Sequence, residues 1–79
     1  MIDKILDVYY EDEFLTADGF EDAIIGLDEA SMRLIYSVSK CLEILERSMS
    51  EEDALEYFDF NVKSAYVGEK TPIWCEDNF

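Results

Sequence analysis

The sequence has 79 residues, 49% of them hydrophobic and 14% aromatic, so it can bury enough apolar surface to fold as one small domain, residues 1–79. Twenty acidic residues face six basic ones, and the formal net charge of −14 argues against direct binding to nucleic acid or to anionic membranes. No apolar stretch approaches the ~20 residues that a membrane-spanning helix needs.

The N-terminal residues have the spacing of a short amphipathic helix. Apolar side chains recur at the i, i+3, i+4 and i+7 positions of one helical face, namely Ile2, Ile5, Leu6 and Tyr9. Thr16–Gly19 then predicts a turn, because Gly19 can take a positive φ and Asp18 can bond the local backbone. We expect the next element to begin after Gly19.

Two interpretations compete for residues 23–37. We favour a β-hairpin, because Ile24, Ile25 and Leu27 form a β-prone run. After a loop of about four residues at Asp28–Ser31, side chains alternate with the period of a strand, with Met32, Leu34 and Tyr36 on one side and Arg33, Ile35 and Ser37 on the other. The alternative is a continuous helix from Asp28 to Ser48.

Two consecutive helices are predicted next. The first has an apolar face at helical spacing, formed by Val38, Cys41, Leu42 and Leu45, and Ser37 stands at its N-cap position. It should end near Ser48. Ser50 can cap the second helix and Asp53 can return the bond, as in a capping box. The inward stripe of this helix is predicted as Ala54, Leu55, Phe58 and Val62, widened by Tyr57 and Phe60.

The C-terminal residues predict an extended segment. A turn at Gly68–Thr71 precedes Pro72, which cannot donate to a sheet ladder, so this segment should pack along an edge. Ile73 and Trp74 would supply core or interface area, and the last residues, 75–79, are expected to fray. The predicted fold is therefore α+β: a short N-terminal helix, a β-hairpin, two α-helices packed on it and a C-terminal extended segment.

The residue types argue against an enzyme. Histidine is absent, so the commonest general base and metal ligand at neutral pH is missing. Two cysteines, Cys41 and Cys75, are too few for a zinc site or a disulfide framework, and no basic and apolar leader opens the sequence. We expect free thiols in a cytosolic protein, with Cys41 in a structural role. We predict no catalytic, cofactor or metal site.

The carboxylates fall into two zones. Residues 1–29 hold ten acidic residues against Lys4, and residues 49–60 hold five against no basic residue, whereas residues 32–48 are close to neutral. A field of this sign steers diffusion towards a basic protein surface. Acidity that serves only solubility is the alternative. The acidic residues predicted to contact a partner are Glu11, Asp12, Glu13, Asp18, Glu21, Asp22, Glu51, Glu52, Glu56 and Asp59.

Aromatic residues suggest a second mode of contact. A small domain can rarely bury all eleven of its rings, and an exposed apolar patch beside carboxylates suits a protein partner. We expect Tyr57, Tyr66 and Trp74 to be partly exposed. They define a competing hypothesis, a structural module or homodimer with an aromatic and apolar interface. A small enzyme that uses carboxylates alone is a third and remote option.

Two stretches of the chain resemble a group of small uncharacterised proteins of tailed bacteriophages. The stretches are DGFEDAIIGLDEASMRLIYSVSKCLEIL and MSEEDALEYFDFNVKSAYVGEKTPIW, within residues 18–74. A motif similar to EYF-FNV--AYVGE-TPI recurs near the C-terminus of that group. The resemblance implies a phage protein made in the bacterial cytoplasm and carries no catalytic residues with it. The expected function is binding to a host or phage protein, in particular inhibition of a host nucleic-acid-handling or defence factor by carboxylates that imitate phosphates.

Overall fold

The computed structural model describes residues 2–8, 15–17, 19–64 and 68–77, and it shows an α+β fold with a three-stranded sheet. The predicted fold class is confirmed. In chain order the elements are α1 (Ile2–Val8), a 3-10 turn (Glu21–Ala23), β1 (Ile24–Asp28), β2 (Arg33–Ser37), α2 (Val38–Leu45), α3 (Glu51–Tyr57), a π-helical segment (Phe58–Lys63) and β3 (Ile73–Cys75).

β1 and β2 form the predicted antiparallel hairpin, so the alternative of a continuous helix over these residues is wrong. The register pairs Asp28 with Arg33 and Ile24 with Tyr36, and it shifts between Ile24 and Gly26 at a bulge. The predicted strand position of Met32 is also wrong. Met32 has a φ of 55° and lies in the connecting turn, since the chain must reverse before Arg33 can pair.

The C-terminal segment joins the sheet as β3. It pairs in parallel with β2, with Ile73 opposite Ile35 and Trp74 opposite Tyr36, so the strand order is β1-β2-β3. The expected packing along an edge is confirmed, although the sequence did not predict a regular strand. Pro72 is buried just before β3, where its missing N–H costs the ladder nothing.

Both long helices begin at the predicted caps. The Ser37 hydroxyl accepts a hydrogen bond from the Lys40 N–H at 3.2 Å, and the Ser50 hydroxyl accepts one from the Asp53 N–H at 3.1 Å. Each bond satisfies an amide that has no partner within its own helix. The caps therefore fix where α2 and α3 start, and with that the positions of the three acidic residues in the first turn of α3.

The core lies between one face of the sheet and the helices. Tyr36 is fully buried at its centre, and its hydroxyl accepts a hydrogen bond from the Ala17 N–H at 2.8 Å. The Trp74 ring lies 5.1 Å from the Tyr36 ring and meets Phe58 edge-on at 5.5 Å. Among the described residues, the core also contains Ile5, Phe20, Ala23, Ile24, Leu34, Val38, Cys41, Leu42, Leu45 and Ala54.

Only part of the predicted inward stripe of α3 is buried. Ala54 and Phe58 have at most 1% of their surface exposed, whereas Leu55 is 47% and Phe60 is 74% exposed. The inward assignment of Leu55 and Phe60 is therefore wrong. Leu55 is turned about 100° from Ala54 in α3, and Phe60 follows Phe58 by two residues in the π-helical segment, so both lie off the stripe that contains Ala54 and Phe58. Neighbouring elements cover Ala54 and Phe58 and leave Leu55 and Phe60 exposed.

We predict that two phenylalanines in the same helical run differ sharply in their contribution to stability. Phe58→Ala should lower the free energy of unfolding by about 3–5 kcal/mol, because it opens a cavity beneath Trp74. Phe60→Ala, the matched control at an exposed position, should change it by less than about 0.5 kcal/mol. Urea unfolding followed by circular dichroism measures both. Equal losses in the two variants would contradict this orientation of the helix.

Candidate functional site

The first turn of α3 concentrates negative charge. Glu51, Glu52 and Asp53 follow the Ser50 cap directly, and all three side chains are exposed. Carboxylates are stabilised there because the amides of a first turn carry a partial positive charge. The turn therefore presents three anionic groups to solvent at a rigid, capped position.

A row of carboxylates continues along the outer side of the same helix. Glu52 and Glu56 are exposed at i and i+4 of α3 and share one face, and exposed Asp59 follows them at the start of the π-helical segment. This face points away from the buried stripe of Ala54 and Phe58. We call Glu52, Glu56 and Asp59 the outer row.

A groove lies between α2 and α3. It encloses about 200 Å³ and is lined by Ser39, Leu42, Glu43, Glu46, Glu51 and Leu55. Two helices thus contribute both carboxylates and apolar surface to one concave site. Glu43 and Glu46 are not among the predicted contact residues, because basic residues nearly balance the acidic ones in residues 32–48. Their i, i+3 spacing, outside the apolar face of α2, was the available signal.

The other predicted acidic residues are distributed unequally. Glu21 and Asp22 are exposed on the 3-10 turn, which packs against α2, so both predicted acidic zones border this helix. Glu11, Asp12, Glu13 and Asp18 lie outside the described residues, as does Tyr66.

The remaining aromatic candidates lie in different settings. Tyr57 is 45% exposed and, with Phe60 three residues later, forms an exposed aromatic pair on the side of α3 away from the groove. Trp74 is only partly exposed, since its ring packs on Tyr36 and Phe58. Its indole N–H is buried and has no acceptor in the described part of the chain. Of the predicted rings described, Tyr57 is the one most open to a partner.

The basic residues do little to neutralise this surface. The Arg33 Nε–H donates to the Thr71 carbonyl at 2.5 Å, and the Lys70 ammonium donates to the Ser31 carbonyl at 3.0 Å. Lys63 pairs with Glu76, the one ion pair found among the described residues. Glu43, Glu46, Glu51, Glu52 and Glu56 are exposed and form no ion pair with a cation of the described chain, whereas Asp59 acts electrostatically on Lys63.

The exposed carboxylate of Asp77 forms hydrogen bonds at the start of α2. Asp77 accepts a hydrogen bond from the Ser37 hydroxyl at 2.5 Å and another from the Ser39 N–H at 2.9 Å. These bonds hold the pKa of Asp77 below its ordinary value, with the Ser37 bond as the largest cause. Ser37 is itself buried, so its hydroxyl is closed to solvent and the cluster reinforces the cap of α2.

The thiols offer no reactive centre at α2. Cys41 is fully buried, and burial together with the negative charge of Asp77 raises its pKa to about 12. Cys75 is partly exposed on β3, and both cysteines are free. Within the described ranges, no group of three or more Cys, Asp or Glu side chains is arranged to hold a metal ion.

Comparisons add no further assignment. No protein-family model, curated protein or solved structure matches the chain. In the part of the chain that the structure describes, no helix has the length and apolar character to cross a bilayer.

We predict that the Asp77 contacts stabilise the fold in a pH-dependent way. Because folding lowers the pKa of Asp77, its contribution is fully present above the ordinary carboxyl pKa of about 3.9 and is lost as the pH falls through the folded value. Asp77→Asn should therefore unfold at a lower urea concentration than the parent at pH 7, and this difference should shrink below about pH 4.

Glu69→Gln is the matched control, an exposed carboxylate on the same C-terminal segment. It should unfold like the parent at both pH values. If Asp77→Asn unfolds at a lower urea concentration than the parent by the same margin at low pH as at pH 7, the role assigned to the carboxylate charge is contradicted.

Proposed function

We propose that this protein is a non-enzymatic binding protein whose acidic helical surface docks onto a basic surface of another protein. The observation that carries the proposal is the acidic surface of α2 and α3, where Glu43, Glu46, Glu51, Glu52 and Glu56 are exposed and form no ion pair within the described chain. Such a surface raises association rates with a cationic partner through electrostatic steering.

Rigid placement strengthens the proposal. Capped helices hold the carboxylates, and the helices pack on the sheet through Ala54, Phe58 and Leu42. A partner therefore meets charges at fixed positions and loses little free energy in ordering them. Acidity that serves only solubility would not need this arrangement, although it would produce the same net charge.

A more specific form of the proposal concerns the partner's ordinary ligand. A cleft that binds nucleic acid is lined with Lys and Arg, because these residues replace the counterions of the phosphates. Carboxylates on a convex helix can occupy such a cleft in place of phosphates. The resemblance to tailed-phage proteins supports a host or phage protein in the bacterial cytoplasm as the partner, with inhibition of a nucleic-acid-handling or defence factor as the outcome.

A second candidate function rests on the exposed aromatic pair. Tyr57 is 45% and Phe60 is 74% exposed, and exposed apolar surface beside carboxylates suits a protein partner. A homodimer or structural module joined through this face would depend on apolar burial. It would keep its mass in sedimentation on dilution and in salt, whereas the acidic monomer proposed above has the mass of one chain throughout.

We predict that a partner captured by the immobilised protein from a bacterial lysate is held at about 0.1 M salt and released at about 1 M, since the screening length falls from ~10 Å to ~3 Å. Duplex DNA should displace the same partner. Removing the outer row with Glu52→Gln, Glu56→Gln and Asp59→Asn should weaken capture.

The matched control removes three exposed charges elsewhere, with Asp7→Asn, Glu29→Gln and Glu69→Gln. It should retain more of the partner than the outer-row variant does. Capture that is unchanged at 1 M salt, or that DNA does not compete, would contradict the electrostatic proposal and favour the apolar alternative.

A further inference from the structure

The groove between α2 and α3 has a composition that neither helix has alone. Leu42 and Leu55 supply apolar surface, and Glu43, Glu46 and Glu51 supply three carboxylates around it. Leu55 is 47% exposed, so the apolar part of the groove is open to a ligand. The volume of about 200 Å³ suits a single side chain and is too small for a folded element.

This combination selects for one chemistry. A purely apolar side chain would bring the three carboxylates close to low-dielectric surface without compensation, and an anion would be repelled by them. A long cationic side chain satisfies both parts, because its methylene stem covers leucine surface while its charged head stays among carboxylates.

No basic residue of the described chain forms an ion pair with the three carboxylates of the groove. Lys40 and Arg47 are exposed and form no ion pair with Glu43, Glu46 or Glu51. Arg33 and Lys70 are bound to backbone carbonyls at the other end of β2, and Lys63 pairs with Glu76. The carboxylates of Glu43, Glu46 and Glu51 in the groove are therefore not neutralised by an ion pair within the described chain.

We propose that the groove receives an arginine side chain of a partner protein; this inference rests on the proposed function and names the residue that the acidic surface recognises. Arginine fits better than lysine because its planar guanidinium has five donors, which can serve carboxylates from two helices at once. Its flat face is also weakly hydrated and packs well on leucine. Lysine offers one compact charge that prefers to stay hydrated.

A peptide of six arginines with blocked ends provides the probe. It is titrated into the protein at about 0.1 M salt, where the screening length is ~10 Å, while the NMR signals of the leucine methyl groups are followed. The methyl signals of Leu42 and Leu55 should move most. A six-citrulline peptide, which has nearly the same shape without the charge, should not bind, and a six-lysine peptide should bind more weakly.

Glu51→Gln and Glu52→Gln form a matched pair. Both residues are exposed in the first turn of α3, but only Glu51 lines the groove. Glu51→Gln should weaken binding about three- to fivefold, near the upper limit for one exposed ion pair, and Glu52→Gln less than twofold. Leu55→Ala should also weaken binding. Phe60→Ala, an exposed apolar control that does not line the groove, should not.

The outcomes separate this inference from the proposed function. Equal weakening by Glu51→Gln and Glu52→Gln, or equal affinity for arginine and lysine peptides, would overturn the arginine groove and leave the general acidic surface intact. The absence of any peptide binding would also overturn the groove. Failure of the proposed function is measured separately, by lysate capture that ignores salt and DNA.

Discussion

The parallel pairing of β3 with β2 is the interaction on which the rest of the structure depends. It places Trp74 against Tyr36 and Phe58, so that the sheet and the π-helical segment share one core. The same pairing brings Asp77 to the first turn of α2, where it bonds Ser37 and the Ser39 N–H. A segment far along the chain thus fixes the position of the helices that carry the acidic surface.

The contacts of the C-terminal segment also affect the net charge of the acidic surface, because they use basic residues. Arg33 and Lys70 donate to carbonyls across the contact between the hairpin turn and the C-terminal segment, and Lys63 pairs with Glu76 beside β3. Three of the six basic residues therefore stabilise the chain's own closure. Within the described residues the carboxylates of α2 and α3 form no ion pair, so a cationic partner can neutralise them.

Local signals predicted much of this architecture, and non-local contacts account for the rest. Ser37 and Ser50 could be recognised as caps because a cap depends only on the next three residues. The regular strand at Ile73–Cys75 could not, because it exists through pairing with a distant strand. Likewise, Leu55 has the apolar character of a core residue, and only the position of α2 shows that it borders a groove. The acidic zones were visible in the sequence, whereas the sharing of the groove by Glu43, Glu46 and Glu51 required the packing of two helices.

The salt dependence of stability tests whether the carboxylates of the acidic surface lack internal cations. Like charges repel one another more strongly in the folded chain than in the expanded unfolded chain, so screening should favour folding if the carboxylates have no internal cations. Because the carboxylates repel one another, we expect the free energy of unfolding in urea to rise between about 0.02 and 0.3 M sodium chloride, as the screening length shortens. A free energy of unfolding that falls over this range would show that internal ion pairs hold the carboxylates, and it would contradict the account.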